Sequence, residues 1–221
     1  MTQEISRDPS LLGLLKGVEG FSKHVFPESQ QLFSELAEGQ SPHTLFITCA
    51  DSRVVPEMIT QTQPGELFVC RNIGNIVPGY GEMLGGVSAV VEFAVAVLRV
   101  RNVVVCGHTD CGAMKGLLNP ESTRDLPTVE AWLRNAQAAR SAVFARKLEG
   151  AEALTAVTQE NIRLQLAHLA THPAVAAARA NNALSLQGWV YDIGDGKVSV
   201  LDEASEQFIP LNEAIQRERG A

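Results

Sequence analysis

The stretch LFIT at residues 45–48 has the apolar sequence of a buried strand. CADSR at 49–53 follows it directly and consists mainly of polar and chemically reactive residues. A similar arrangement occurs downstream, where VVV at 103–105 is followed shortly by HTDCG at 108–112. Short apolar runs of this kind are typical of strands in a parallel sheet that is covered on both faces. Because active sites of open parallel sheets lie at the carboxyl ends of the strands, we expect both polar motifs to meet at one edge.

Strand-like and helix-like runs alternate along the rest of the chain. Strand-like runs cover residues 44–48, 67–70 and 103–106, whereas helical spacing follows Pro56 and covers 86–100, 127–147, 152–169 and 174–180. Two later strand-like runs, 184–191 and 198–201, flank Asp195-Gly196, which is a strong hairpin signal. We therefore predict an α/β fold with a central, mainly parallel β-sheet flanked by helices and a C-terminal β-hairpin.

The N-terminal region has its own pattern. From residue 11 to 38 the spacing is helical and amphipathic, Pro27-Glu28 marks a second helix start, and Gly39 marks a stop. The apolar stripe consists of Phe21, Val25, Leu32, Phe33 and Leu36. We expect a single domain, 1–221, made of a helical arm (1–38), an α/β core that carries both motifs (44–120) and C-terminal helices with the hairpin (121–221).

Composition excludes several classes of function. The 221 residues are 45% hydrophobic and carry a net charge of −7, which argues against nucleic-acid partners and a polybasic membrane footprint. No apolar run is long enough to span a membrane, and the first residues do not resemble a signal peptide, so we expect a cytoplasmic protein. Four cysteines in such a chain suit metal ligands or core residues better than disulfides.

The two polar motifs contain the ligand types that a catalytic zinc site uses. Cys49, His108 and Cys111 offer two thiols and one imidazole, and a tetrahedral zinc with three protein ligands keeps a fourth position for water or substrate. A cysteine that follows a strand is usually a core residue, and Cys70 fits that interpretation. Cys106 stands two residues from His108, so spacing alone leaves it open as a ligand.

Asp51 and Arg53 follow Cys49 by two and four residues, close enough to act on the occupant of that fourth position. Asp51 can accept a hydrogen bond from a zinc-bound water or hydroxide, and Arg53 can keep Asp51 ionised through a charge-assisted contact. The alternative interpretation is an N-terminal cap with a surface ion pair. Together these residues favour zinc-hydroxide chemistry.

Four short motifs, in this order and spacing, resemble the β-class carbonic anhydrases: CADSR at 49–53, RNIGN at 71–75, GGVSA at 85–89 and GHTDCG at 107–112. The similarity extends from the N-terminal helices to GWVYD at 188–192, and it resembles in particular the bacterial branch that includes the enzyme of cyanate operons. The resemblance implies an enzyme, a zinc lyase, in which zinc-bound hydroxide converts carbon dioxide reversibly to bicarbonate and a proton.

The resemblance also implies roles for individual residues of the centre. One zinc ion per subunit would be bound by Cys49, His108 and Cys111, with Asp51 and Arg53 as a catalytic dyad.

In some bacterial relatives the aspartate ligates zinc in a closed form. If this chain had such a form, the ligand would be Asp51. Those relatives bind an inhibitory bicarbonate with the help of a tryptophan three residues before the first cysteine. This chain has Phe46 there, although Arg71 and Tyr191 match the other two positions. We therefore expect an open, water-bound zinc at neutral pH.

For the substrate, the resemblance implies an apolar cleft formed by Gln40, Phe68, Ile73, Phe93 and the backbone of Gly112. In the family the glutamine and the aromatic residues come from the partner subunit. The implied assembly is a homodimer or a dimer of dimers in which the N-terminal helices pack on the partner. The expected partners are therefore carbon dioxide, bicarbonate and further copies of this chain, with no nucleic acid and no membrane.

Two other functions stay open at this point. The same scaffold could hydrolyse a carbon dioxide analogue such as carbon disulfide or carbonyl sulfide, a choice that depends on channel shape. Alternatively, the zinc could be purely structural, which would require a fourth cysteine or histidine ligand. The nearest spare residue of that kind is Cys106.

Overall fold

The computed structural model describes residues 9–82 and 85–220, and the chain divides into two compact units, Met1–Gln40 and Ser41–Ala221. The first unit contains helices α1 (Pro9–Gly20), α2 (Phe26–Glu28) and α3 (Gln30–Ala37), with a π-helical turn at Phe21–Val25. Pro27 lies in the first turn of α2, where the sequence predicts a second helix start, because proline is tolerated at that position. A further break follows at Ser29, before α3. The rings of Phe21, Phe26 and Phe33 pack on one another within this unit.

A six-stranded sheet in the order β2-β1-β3-β4-β5-β6 forms the centre of the second unit. The strands are β1 (Thr44–Cys49), β2 (Leu67–Asn72), β3 (Asn102–His108), β4 (Ser185–Tyr191), β5 (Val198–Asp202) and β6 (Gln207–Pro210). Strands β1 to β4 are mutually parallel, whereas β5 and β6 join as antiparallel strands. The predicted α/β class, the mainly parallel sheet and the C-terminal hairpin are confirmed.

Eight helices of the described residues belong to this second unit: α4 (Pro56–Thr60), α5 (Gly86–Glu92), α6 (Gly112–Leu118), α7 (Pro127–Leu133), α8 (Gln137–Ala145), α9 (Gly150–Thr171), α10 (Pro173–Ala180) and α11 (Leu211–Gly220). The helix predicted for 86–100 instead ends in a π-helical turn at Phe93–Val97, and Arg99 then adopts a left-handed backbone with φ of 56°. The helix predicted for 127–147 is interrupted by a 3-10 turn at Arg134–Ala136. No helix in the described ranges has the length and apolar character needed to cross a bilayer.

Both faces of the central strands are buried, which explains their continuous apolar sequence. Leu45 and Ile47 of β1 pack in one cluster with the helices, and Phe46 between them packs in a cluster on the opposite face. This alternation follows from the two-residue period of a strand. The Phe46 ring meets the Trp189 ring edge-on, with centroids 5.8 Å apart.

Helix α9 lies very close to β3 and β4 at two glycines, Gly107 and Gly188. A Cβ atom added to Gly107 would lie 3.0 Å from Ile162 Cδ1, and one added to Gly188 would lie 2.7 Å from Ile162 Cγ2. The absence of side chains at these glycines lets the helix approach the sheet. The approach brings the polar side chains of α9 to the edge where the two sequence motifs meet.

Candidate metal centre

Cys49, His108 and Cys111 converge at the carboxyl edge of the sheet. Cys49 is the last residue of β1, His108 is the last residue of the adjacent parallel strand β3, and Cys111 directly precedes α6. The two sulfur atoms are 4.0 Å apart, and the three ligand atoms lie within 4.8 Å of one another. All three residues are buried. The sheet register therefore assembles a compact set of metal-binding groups.

The imidazole of His108 is held in one orientation. Its Nδ1 lies 2.8 Å from the carbonyl oxygen of Thr109, and a donated proton at Nδ1 leaves Nε2 with the lone pair. Nε2 is buried and has no hydrogen-bond partner in the described part of the chain. Buried polar atoms are almost always paired, so this orphaned nitrogen fits a metal ligand whose other nitrogen is fixed by the backbone.

The two thiols of the cluster shift each other's pKa in opposite directions. A hydrogen bond from Cys111 lowers the pKa of Cys49 well below that of an ordinary thiol, and backbone N–H groups of Gly74 and Asp51 also favour its thiolate. The same contact raises the pKa of Cys111, because a second thiolate beside the first is unfavourable. A divalent soft cation would relieve that repulsion, so the donor set fits zinc.

Cys70 and Cys106 lie outside this group. Cys106 is fully buried and packs with Phe46 and Val104, in a different apolar cluster from the one that contains Cys49 and Cys111. Burial raises the pKa of Cys106 to about 12, as expected for an inert core thiol. Burial likewise raises the pKa of Cys70. The open question about Cys106 is therefore answered by packing, which spacing could not reveal.

The loop Ile73–Asn75 supports Cys49 from one side. Gly74 has a φ of 79°, and a Cβ atom there would lie only 2.9 Å from Cβ of Ala113. Glycine is thus required both by the backbone and by the close approach. The Gly74 carbonyl accepts a hydrogen bond of 3.0 Å from Asn161 of α9, and the Ile73 carbonyl accepts one of 2.7 Å from Trp132. Asn161 and Trp132 therefore hold this loop in place, and the sequence motifs indicated neither of them.

Asp51 and Arg53 form a two-pronged ion pair beside the cluster. Arg53 Nε donates to Asp51 Oδ1 at 2.9 Å, and Nη2 donates to Oδ2 at 2.8 Å. Arg71 of β2 donates to the backbone carbonyls of Cys49 and Asp51, which fixes the turn that carries the pair. The Arg53 guanidinium holds the pKa of Asp51 far below its usual range. Oδ2 of Asp51 lies 3.8 Å from Nε2 of His108.

The predicted substrate residues fall into two groups. Ile73 is an exposed residue of the loop Ile73–Asn75, and Gly112 is exposed and directly follows Cys111. Phe68 packs on Phe93 with ring centroids 6.0 Å apart. In the sheet register Phe68 of β2 pairs with Leu45 of β1, and Leu45 lies four residues, or about 13 Å along the strand, before Cys49. Gln40 is an exposed residue at the end of the first unit. Within one chain, the aromatic pair is not at the metal cluster.

Zinc binding to the metal-free protein is expected to release at least one proton at neutral pH. Cys111 keeps its proton without metal because its pKa is raised, and a metal ligand must be the thiolate. Affinity should therefore fall as pH falls, by about tenfold per pH unit for each proton released. Calorimetric titration of zinc in two buffers of different ionisation enthalpy measures the number of protons released. Binding without proton release would mean that both thiols are already ionised.

Comparison with known proteins leads to a family of enzymes. A family model described as carbonic anhydrase matches residues 44–198. The chain is 51% identical over 201 residues to a carbonic anhydrase of Pseudomonas aeruginosa, covering 90% of this chain and 91% of the relative. It is 48% identical over 199 residues to carbonic anhydrase 1 of Escherichia coli O157:H7, covering 90% and 91%.

Solved structures give the same result at the level of the fold. The β-carbonic anhydrase CcaA superposes with a TM-score of 0.89 at 41% identity, over 91% of this chain and 99% of that chain. One of the tetrameric β-carbonic anhydrases of Sordaria macrospora superposes with a TM-score of 0.80 at 30% identity, over 88% and 98%. Since family model, relatives and fold all agree, the chain belongs to the β-class carbonic anhydrases.

Proposed function

We propose that Cys49, His108 and Cys111 hold one Zn²⁺ per chain, and that reversible hydration of carbon dioxide to bicarbonate and a proton takes place beside them. The observation that carries the assignment is the buried, unpartnered Nε2 of His108 in a cluster with two thiols 4.0 Å apart. Among the residues that the structure describes, no fourth cysteine or histidine joins the cluster. A closed structural zinc site would need one, so a catalytic site is favoured.

When bound, zinc would supply a nucleophile at neutral pH, because it lowers the pKa of a bound water, to about 7 in the carbonic anhydrases whose zinc has three histidine ligands. Asp51 would accept a hydrogen bond from the attacking hydroxyl group and so orient the lone pair of that group toward the carbon atom of the substrate. Arg53 keeps Asp51 ionised and restricts its side chain to one rotamer through two hydrogen bonds. The dyad therefore orients the reaction and needs no direct bond to the substrate.

We propose that the centre is open, with Asp51 outside the ligand set. Both carboxylate oxygens of Asp51 are hydrogen-bonded to Arg53, and a move onto the metal would break that two-pronged contact. The indole donor that helps bind inhibitory bicarbonate in some relatives is replaced here by Phe46, whose ring is buried against Trp189. Both observations support an open site.

We propose that the substrate cleft is shared between two copies of the chain. Ile73 and Gly112 adjoin the cluster, whereas the Phe68–Phe93 pair lies toward the other end of the strands, which supports a role for the pair in the cleft of a neighbouring copy. Leu11, Leu12, Leu14, Leu15 and Val18 of α1 are all more than half exposed, which suits a covered interface. The Sordaria macrospora relatives are tetrameric. A dimer, or a dimer of dimers, is the proposed assembly.

Mixed dimers test the shared cleft directly. A Gln40→Ala subunit paired with a Cys49→Ser subunit is expected to regain activity that neither homodimer has. If the glutamine crosses the interface, both substitutions fall in the same site and the other site is intact. If Gln40 serves its own subunit, each site carries one lesion and purified heterodimers stay inactive. Differently tagged subunits, purified through both tags and assayed for carbon dioxide hydration, distinguish the two results.

We also propose a cytoplasmic location. All four cysteines are free thiols, and two of them belong to the metal cluster. Such a ligand pair is best preserved where thiols are kept reduced.

Stopped-flow assays of the zinc-loaded protein with carbon dioxide and with carbonyl sulfide test the proposed reaction. We expect rapid hydration of carbon dioxide and much slower turnover of carbonyl sulfide. The reverse preference would assign the scaffold to hydrolysis of the analogue. Loss of both activities in a fully zinc-loaded protein would favour a structural metal.

A further inference from the structure

Arg53 has a second anionic partner on the side away from Asp51. Its Nη1 donates to Oδ2 of Asp110 at 3.2 Å, and its Nη2 lies 3.5 Å from the Asp110 backbone oxygen. The guanidinium group is therefore held between two aspartates, with Nε and Nη2 on Asp51 and Nη1 on Asp110. A planar donor fixed on two sides has little freedom to rotate.

Asp110 is itself fixed in place. It lies in the turn between His108 and Cys111, with a left-handed backbone at φ of 59°, which aspartate tolerates better than most residues. Lys115 of α6 forms an ion pair with Oδ1 of Asp110, which leaves Oδ2 for Arg53. The turn that carries two cluster residues thus also sets the position of Arg53.

A contribution to folding stability does not explain the two ion pairs that link Arg53, Asp110 and Lys115. The side chains of Arg53, Asp110 and Lys115 are 44%, 54% and 53% exposed. Ion pairs at such exposure contribute little to folding, because solvent screens them and ordering long side chains costs entropy. The remaining effect of these ion pairs is that they restrict the Arg53 side chain to one rotamer.

We propose that Asp110 and Lys115 are positioning residues of the hydration reaction, with Lys115 orienting Asp110 and Asp110 holding Arg53 against Asp51. The inference rests on the proposed role of the Asp51–Arg53 dyad. Neither residue needs to touch the substrate. Their effect should therefore appear in turnover and not in substrate affinity.

The test begins with Asp110→Asn, which keeps the size and the tolerance of a left-handed backbone but removes the charge. We expect kcat for carbon dioxide hydration in well-buffered solution to fall about tenfold, the scale of a lost supporting contact. KM, zinc content and Tm should stay unchanged. Lys115→Met should give a smaller loss, and Lys115→Arg should retain turnover. The matched control is Asp195→Asn, which removes an exposed aspartate–lysine pair in the β4–β5 turn and should leave kcat unchanged.

A double-mutant cycle separates positioning from a direct effect. If Asp110 acts through Arg53, then Asp110→Asn should cause no further loss in an Arg53→Ala background. Relaxation of the Arg53 Nε–H group, measured by ¹⁵N NMR, gives a readout independent of activity. We expect its order parameter to fall in Asp110→Asn and not in Asp195→Asn.

Several results would overturn the inference. Wild-type kcat in zinc-loaded Asp110→Asn, an unchanged Arg53 order parameter, or an equal loss in the Arg53→Ala background would each do so. If Asp110→Asn loses zinc, Lys115→Met replaces it as the test, and wild-type kcat in that variant would be decisive. Full turnover in Arg53→Ala would instead refute the dyad itself, whereas a loss there with none in Asp110→Asn refutes the positioning role alone.

Discussion

Replacing Cys111 by serine is expected to abolish stoichiometric zinc binding and carbon dioxide hydration together. The thiol lies 4.0 Å from the Cys49 sulfur at the start of α6, and a serine hydroxyl is a far weaker zinc ligand than a thiolate. Cys49→Ser and His108→Ala should behave in the same way. Metal analysis after dialysis, together with stopped-flow hydration of the same samples, measures both losses.

The buried cysteines outside the cluster provide the matched controls. Cys70→Ser and Cys106→Ser each place a hydroxyl at a buried site, as the ligand substitutions do, yet both should retain one zinc per chain. Cys106 is the stringent control, because it is fully buried and two residues from His108. Zinc retained in Cys111→Ser but lost in Cys106→Ser would reassign the ligand set.

Asp51→Asn and Arg53→Ala are expected to keep zinc and to lower carbon dioxide turnover by roughly 10²-fold, the scale of one lost oriented catalytic contact. Asparagine keeps the shape of Asp51 but replaces one acceptor oxygen with an N–H donor group. Alanine at position 53 removes both guanidinium hydrogen bonds and leaves Asp51 with only the backbone N–H contact to Oδ1. Steady-state hydration rates, normalised to bound zinc, measure the effect.

The zinc content of these dyad variants is itself informative. Neither Asp51 nor Arg53 belongs to the ligand cluster, so metal loss on their replacement would show that the pair supports the ligands structurally. Wild-type turnover in zinc-loaded Asp51→Asn would show that the ion pair has no part in the reaction.

The meeting of the two motifs could be predicted because it depends on topology alone. Cys49 and His108 end adjacent parallel strands, and such strands deliver their carboxyl ends to one edge. Cys106 could not be assigned from spacing, since strand periodicity places it on the same face as His108. Only the packing of Cys106 against Phe46 and Val104 separates it from the cluster.

The residues that hold the site in position could not be predicted from the sequence, because their contacts depend on the folded structure. Asp110 appeared only as part of a motif, and its contact with Arg53 depends on two side-chain rotamers across 57 residues of sequence. The contacts of Arg71 depend on the register of β2 against β1. Asn161 reaches Gly74 only because glycines let α9 approach the sheet.

The missed C-terminal elements have weak local signals. Strand β6 has only four residues and ends in proline, which limits it to the sheet edge. Helix α11 is polar along most of its length, so it lacks a broad apolar stripe. Short edge strands and polar terminal helices are positioned by the neighbours that they contact, which spacing along the chain does not show.

Zinc K-edge X-ray absorption on the zinc-loaded protein tests the assigned centre most directly. The geometry predicts two sulfur ligands, one imidazole nitrogen and one further oxygen ligand that does not come from Asp51. The Asp51→Asn protein should therefore give the same spectrum as the wild type. Three sulfur ligands, or a spectrum that changes when Asp51 is replaced, would contradict an open site on Cys49, His108 and Cys111.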